Sequence, residues 1–542
     1  MKSSWSEETP GGMHTKSFGP ACPQPIHELE PTYGAKDITQ NEDCLYLNVW
    51  TTDMAVRYKK IPVVLLLEGE GFVTGYPGRL PCQDLAAEGV VVVSAAYRLN
   101  VFGFLCLEDA EGRGNVGLLD QYLVLVWIRQ NIEAFGGDPH QVTIMGHSAG
   151  AVSALYHMIS PRTKGLFQRV ILMSGSIRSP WWRESGGTKS NASLAIARSL
   201  GCLGVTTSSA ILACLRSKSY EEVLKAFETQ YMNGNWTELP LPVVDDFLPE
   251  IEQYLPTSPD EALSKGQYLM IPVITGITSR EGAIAISQWT DLIQQGYSQL
   301  RRFFMDAVIP SMLDRYNMSR NSPELREILA WQYVNPVQDS DTALLAAKLL
   351  DFYSDAQYVG PHLLQLEHLL NKSRGDKVLP VYNYYFDQQS PDNLYKNSLN
   401  ITGSSHGTEL VYLLGPSLGQ RLGGSAARFT PQQMKLSNTV KRLWTEFIRK
   451  GEISASPYGY GVSWTPCTGS ADDWLVLKSD DSLPPSQQVM RRASSSGGGV
   501  GAQIWTHLLP RLQQIIANRT AQLADREYQP AGMQLTKGSF FF

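Results

Sequence analysis

Residues 141–151 join a short apolar run, Val142 to Met145, to a run of small residues from Ala149 to Met158. Between the two lies Gly146-His147-Ser148-Ala149-Gly150, the pattern G-x-S-x-G, and this setting restricts the fold more than any other stretch. A β-type run that ends in such a pentapeptide and continues as a helix predicts a sharp strand-to-helix turn, with the glycines relieving the bend and the serine hydroxyl pushed out at the top of a sheet. In a chain with 46 glycines the pentapeptide alone also fits an ordinary turn serine. The strand before it and the helix after it favour a nucleophile.

The surrounding pattern agrees. Ile61 to Leu67 and Val90 to Ala96 are apolar, β-branched runs of the kind buried on both faces of a sheet, and Leu45 to Thr51 alternates as a strand. Leu119, Tyr122, Leu123, Val126, Ile132 and Phe135 keep a helical period that stops at Gly136-Gly137-Asp138-Pro139, and Arg169 to Met173 reads as the next strand. Further strands are expected at Ile271–Gly276 and Leu379–Phe386, an amphipathic helix at Met434–Lys450, and a surface loop at Ser494–Gly499. Alternating strands and helices imply an α/β chain with a mostly parallel central sheet flanked by helices. We read one large domain over 21–514, preceded by a polar, poorly ordered segment at 1–20 and followed by a polar tail at 515–542.

A chain of 542 residues that is 43% hydrophobic, with 12 tryptophans, can bury a sizeable core. It has no uninterrupted apolar run of the roughly 20 residues a membrane-spanning helix needs. A formal charge of −6 without a Lys/Arg cluster argues against a nucleic-acid partner, which calls for a basic face. The first twelve residues have no apolar core of a signal peptide. Six N-x-S/T sequons, at Asn191, Asn235, Asn317, Asn371, Asn400 and Asn518, give weak support for the secretory route.

A serine hydroxyl is a poor nucleophile until a base takes its proton and a carboxylate orients that base. On α/β folds with this elbow the partners follow in the order serine, acid, histidine. Downstream of Ser148 the candidates include His157, His362, His368, His406 and His507. The first three sit in helical patterns, whereas His406 sits in the loop Thr402-Gly-Ser-Ser-His-Gly-Thr-Glu-Leu410 after a late strand, where a base is expected. Spacing alone does not choose the acid.

From Cys22 to Leu512 the sequence resembles the type-B carboxylesterase and cholinesterase family. The resemblance is carried by ACPQ, EDCLYLNVW, VFGF, GNVGLLDQYLVLVWIRQNIEAFGGDPHQVTIMGHSAGA, GLFQRVILMSGS, LGC with ACLR, PVVDDFLP, GITSREGA, SSHGTELVYLLG and WTHLLP, in that order. It implies an α/β-hydrolase fold with a deep gorge, Ser148 as nucleophile, His406 as base and Glu281 of Ser279-Arg-Glu-Gly282 as acid. It also implies disulfides Cys22–Cys44 and Cys202–Cys214, with Cys82, Cys106 and Cys467 left as thiols. Paired cysteines point to an oxidising, extracellular or secreted setting. The implied chemistry acts on a small-molecule ester and uses no cofactor and no metal.

The sequence departs from the family pattern in several places. Where the family has consecutive glycines before Phe, this chain reads Glu68-Gly69-Glu70-Gly71-Phe72. The oxyanion hole is therefore expected from the N–H groups of Glu70, Gly71 and Ala149, with a carboxylate close to the developing charge. The family's N-terminal strands ahead of the first disulfide are expected to be missing. No tryptophan lies between Cys22 and Cys44, where cholinesterases hold a quaternary ammonium, and His147 replaces their Glu before the serine, which disfavours choline esters. Trp181 falls in the acyl-pocket segment and fits either a pocket wall or ordinary packing. Two functions follow: an esterase working through an acyl-enzyme, which the filled triad favours, and a catalytically impaired binding protein of the neuroligin-like kind, possessing a protein partner, which Glu70 favours.

Overall fold

The computed structural model describes residues 17–25, 38–180, 189–204, 207–232, 239–283, 289–338, 340–371, 379–389, 403–423, 428–454, 464–467, 473–479, 490–493 and 499–527. The Ser494–Gly499 loop falls almost wholly outside them, as do Trp181 and residues 1–16.

A nine-stranded sheet runs in the order β1 (Leu47–Trp50), β3 (Val91–Ala95), β2 (Ile61–Leu67), β4 (Gly137–His147), β5 (Arg169–Met173), β6 (Val273–Thr278), β7 (Val381–Phe386), β8 (Trp474–Leu477), β9 (Met490–Ala493). Every pairing from β3 to β8 is parallel, and only the edge strands β1 and β9 run antiparallel. Parallel strands need crossovers, and crossovers put helices on both faces, which is why β2 and β3 are runs of mostly apolar residues rather than alternating. Within β2, Val63, Leu65 and Leu67 enter one core layer, and Val64 and Leu66 enter the other.

The first layer is filled by the helices Val116–Asn131 and Ala149–Ile159, through residues such as Leu118, Leu125, Ile128, Val152 and Leu155. The second is filled by Thr408–Leu414 and Pro431–Lys450, the latter presenting Leu436, Val440, Leu443, Trp444 and Phe447. Burying side chains of this size contributes about 1.5–3 kcal/mol each. Helix Pro431–Lys450 begins at a reciprocal Thr430/Gln433 capping box and ends at Gly451 with φ 75°. A third cluster, including Phe304, Tyr333, Phe352 and Trp505, joins helices of the 290–371 insertion to the C-terminal segment.

Several elements begin or end away from the expected positions. The helix stop appears as Gly136 with φ 85°, after which β4 begins at once at Gly137. Helix Leu509–Glu527 crosses the position 514 at which the domain was expected to end. At the other end, Phe18 packs on Trp50 and the Gly19 carbonyl accepts from the Tyr76 hydroxyl, so the last residues of the 1–20 segment contact the domain. Cys22–Cys44 and Cys202–Cys214 are disulfide-bonded, and Cys82, Cys106 and Cys467 are buried thiols. No helix among the described residues is long and apolar enough to cross a membrane.

The chain crosses the sheet once: β3 lies to one side of β2 and β4 to the other. Sites in open parallel sheets form beyond the carboxyl ends of the strands at such a crossing. Glu70 follows β2 and Ser148 follows β4 there, with Ser174, Glu281 and His406 after β5, β6 and β7.

Candidate active site

Ser148 carries the strain of the elbow itself, at φ 54° and ψ −121°, while Gly146 and Gly150 lie outside the left-handed region. The two glycines serve close approach instead. A Cβ on Gly146 would lie 2.1 Å from the Gly150 carbonyl oxygen, and one on Gly150 would lie 2.0 Å from that of Leu67. Without those side chains the helix Ala149–Ile159 seats against β2 and aims its first turn at the sheet's end. The Ser148 N–H donates to the Met173 carbonyl at 2.9 Å, fixing the elbow to β5. A non-glycine residue held in such a conformation marks a functional constraint.

Glu281 and His406 meet because their loops are stitched together: Arg280 N–H donates to Ser404 O at 2.8 Å, and Ser404 N–H to Ser279 Oγ at 2.9 Å. His406 Nδ1 lies 2.6 Å from Glu281 Oε2, and both side chains are fully buried. Glu281 Oε1 accepts from the Thr278 N–H at 2.7 Å. Burial raises the Glu281 pKa, but the His406 charge and these hydrogen bonds outweigh it and lower the value.

The Ser174 hydroxyl lies 2.7 Å from Glu281 Oε1 and 2.7 Å from Glu409 Oε1. One hydroxyl has one proton and cannot donate to both. Burial and, against the pull of His147, the Glu281 charge raise the pKa of Glu409. A protonated Glu409 donating to Ser174, which donates to an ionised Glu281, satisfies the set. Glu409 sits only three residues beyond His406 and was not singled out in the sequence.

The other nitrogen of His406 faces Glu70, not Ser148. Nε2 lies 3.1 Å from Glu70 Oε2, and no hydrogen bond links Ser148 Oγ to the imidazole among the described residues. The second Glu70 oxygen, Oε1, lies 3.4 Å from His147 Nδ1. Burial pushes the Glu70 carboxyl upward, yet His406 and His147 prevail and hold it well below the usual carboxylate range. Burial likewise opposes charge on His406, but Tyr358, Glu70 and Glu281 hold its pKa well above the ordinary histidine value. The arrangement is an imidazole held between two carboxylates.

Of the three N–H groups expected to make the oxyanion hole, two are engaged. Glu70 N–H donates to Thr74 O at 2.8 Å and Ala149 N–H to Gly69 O at 3.0 Å. Gly71, at φ 64°, has no backbone acceptor among the described residues. Gln24 braces this turn, donating to Gly75 O and accepting from Gly75 N–H, both at 2.9 Å, and the buried ion pair Arg79–Glu68 at 2.6 Å holds its start. Glu70, His147 and His406 offer donor atoms that all lie within 4.8 Å of one another, close enough for one metal ion. The remaining histidine candidates have other partners: His157 bonds Tyr254 and Gln121, His362 bonds Asn383, His368 bonds the Leu364 carbonyl, and His507 bonds Thr506.

The profile of the Carboxylesterase family matches residues 2–494. The chain is 30% identical over 539 residues to acetylcholinesterase of Bungarus fasciatus, covering 95% of this chain and 80% of that protein. It is also 30% identical to carboxylesterase 5A of Canis lupus familiaris, covering 84% and 73%, and to that of Felis catus, covering 83% and 76%.

Proposed function

The chain belongs to the carboxylesterase family, and we propose that it is a serine hydrolase that hydrolyses small carboxylic esters with Ser148, His406 and Glu281. Two observations support this reading: the His406–Glu281 pair, 2.6 Å long and buried, and the strained Ser148 at φ 54° on the elbow after β4. In the working cycle His406 Nε2 takes the Ser148 proton as Oγ attacks the ester carbonyl. It then returns the proton to the leaving alcohol, and a water molecule releases the acyl group by the same route in reverse. Glu281 keeps the imidazole in the required tautomer and stabilises the imidazolium.

Glu70 defines the resting state. While its carboxylate holds Nε2, the base is not available to the hydroxyl, so the substrate must displace Glu70. Release of the 69–74 turn would at the same time free the Glu70 and Ala149 N–H groups to join that of Gly71 around the developing oxyanion. Turnover of an activated ester, lost in Ser148→Ala, tests the assignment; equal turnover in that variant would refute it.

The same clamp favours a second reading, a binding protein with an impaired site. A folded chain that neither turns over esters nor reacts with a fluorophosphonate would establish that reading in place of the first. The two disulfides support secretion, and Asn191, Asn317 and Asn518 are exposed sequon residues open to glycosylation.

A further inference from the structure

We propose that Glu70, His147 and His406 form a site for one divalent transition-metal ion of the zinc class, and that filling it switches the esterase off. The inhibitory half of this proposal rests on the assignment of His406 as the base.

Glu70 lies between the two imidazoles, with Oε2 3.1 Å from His406 Nε2 and Oε1 3.4 Å from His147 Nδ1. Tetrahedral zinc with bonds of about 2.1 Å places neighbouring donor atoms about 3.4 Å apart. Each imidazole nitrogen thus stands from its own Glu70 oxygen at nearly the separation of ligands around one ion, and one donor atom from each of the three residues lies within 4.8 Å of the others.

A second observation concerns burial. His147 is fully buried; its Nε2 has no hydrogen-bond partner, and its Nδ1 and the buried Glu70 Oε1 have only each other, at 3.4 Å. A buried polar side chain with one long contact and one unsatisfied nitrogen calls for an explanation, an unseen ion among them. A cation between Glu70 and the imidazoles would satisfy the Glu70 oxygen and one His147 nitrogen together.

The outer shell also fits. Glu281 holds His406 Nδ1 at 2.6 Å, which directs Nε2 toward the donor cluster in the carboxylate–histidine–metal arrangement that orients ligands. Two imidazoles and one carboxylate suit zinc, and three protein ligands leave a fourth position open. Calcium and magnesium, which take oxygen ligands, do not match. The Glu70 side chain keeps 22% of its exposure, giving an ion a way in. A metal on Nε2 takes up the lone pair that would receive the Ser148 proton, so binding and hydrolysis exclude each other.

The test titrates chelator-treated full-length protein with zinc chloride by calorimetry, with cobalt(II) absorption reporting geometry. One saturable site is expected, with affinity falling about 100-fold or more in Glu70→Ala and His147→Ala, because losing a ligand exceeds the 10–100-fold effect of an outer-shell partner. Zinc should also slow fluorophosphonate labelling of Ser148, and a chelator should restore it. Glu70→Gln and His147→Gln, checked by circular dichroism and melting, repeat the titration should the alanine variants fail to fold. No saturable binding, undiminished binding in the folded variants, or turnover accelerated by zinc would overturn the proposal. Zinc binding that depends on Glu70 and His147 in a chain without ester turnover would support the metal site and remove the esterase reading alone.

Discussion

Replacing Glu70 should activate the enzyme. The contact to be removed is the 3.1 Å pairing of Glu70 Oε2 with His406 Nε2. A hydrogen bond to a charged group is worth about 1.5–3 kcal/mol net. At about 1.4 kcal/mol per factor of ten, losing it frees the base by about 10- to 100-fold. The 22% exposure of the Glu70 side chain screens the pair and favours the lower half of that range. Glu70→Gln removes the charge and keeps the size, whereas Glu70→Gly also loosens the 69–74 turn, whose Glu70 N–H is engaged by Thr74 O. Turnover of p-nitrophenyl acetate, normalised to sites titrated with a fluorophosphonate, should rise in both variants. A rise in Glu70→Gly alone would mean that the turn rather than the charge restrains the site. Turnover at or below the parent level in both variants, with an undiminished fraction of titratable sites, would refute the clamp.

Gly150→Ala puts a Cβ 2.0 Å from the Leu67 carbonyl oxygen, so it should destabilise the chain by about 1–3 kcal/mol or more, read as a lower midpoint in guanidinium; an unchanged midpoint would show that the helix can shift away. Asp355, beside the Tyr333 hydroxyl at 2.8 Å, is pushed by burial from 3.8 to about 7. Between those values the folded chain holds a proton that the unfolded chain has lost, so this group makes stability fall as pH rises from about 4 to about 7 and adds no further slope above. The fall should be on the order of a few kcal/mol and should flatten in Asp355→Asn, as measured by denaturant titration across that window. Protein secreted from animal cells should lose mass on treatment with an N-glycosidase; an unchanged mass would argue against use of its sequons.

The legible part of this molecule was local or repeated over long stretches. The runs 61–67 and 90–96 announced central strands because crossovers bury them on both faces, and the elbow announced its own geometry. The meaning of the two elbow glycines was harder to see. Their absent side chains matter through Gly150 O and Leu67 O, and the second of these belongs to a different strand. His406 was visible as a loop histidine, but Glu281 needed the family resemblance, because nothing local distinguishes it from other carboxylates. Strands β8 and β9, four residues each, are too short to give a period and exist by pairing. The contact of Glu70 with His406, 336 residues away, depends on which way one side chain turns at the end of β2. The Ser174–Glu409 link has the same long-range origin, at 235 residues.

The most direct test of the account is whether Ser148 is a nucleophile. Purified protein would be treated with a fluorophosphonate, digested, and analysed by mass spectrometry beside Ser148→Ala and His406→Ala. One phosphonyl adduct on Ser148, absent from the first variant and strongly slowed in the second, is the predicted result. A folded protein that takes up no adduct, or takes it up at another residue with ester turnover intact, would contradict it.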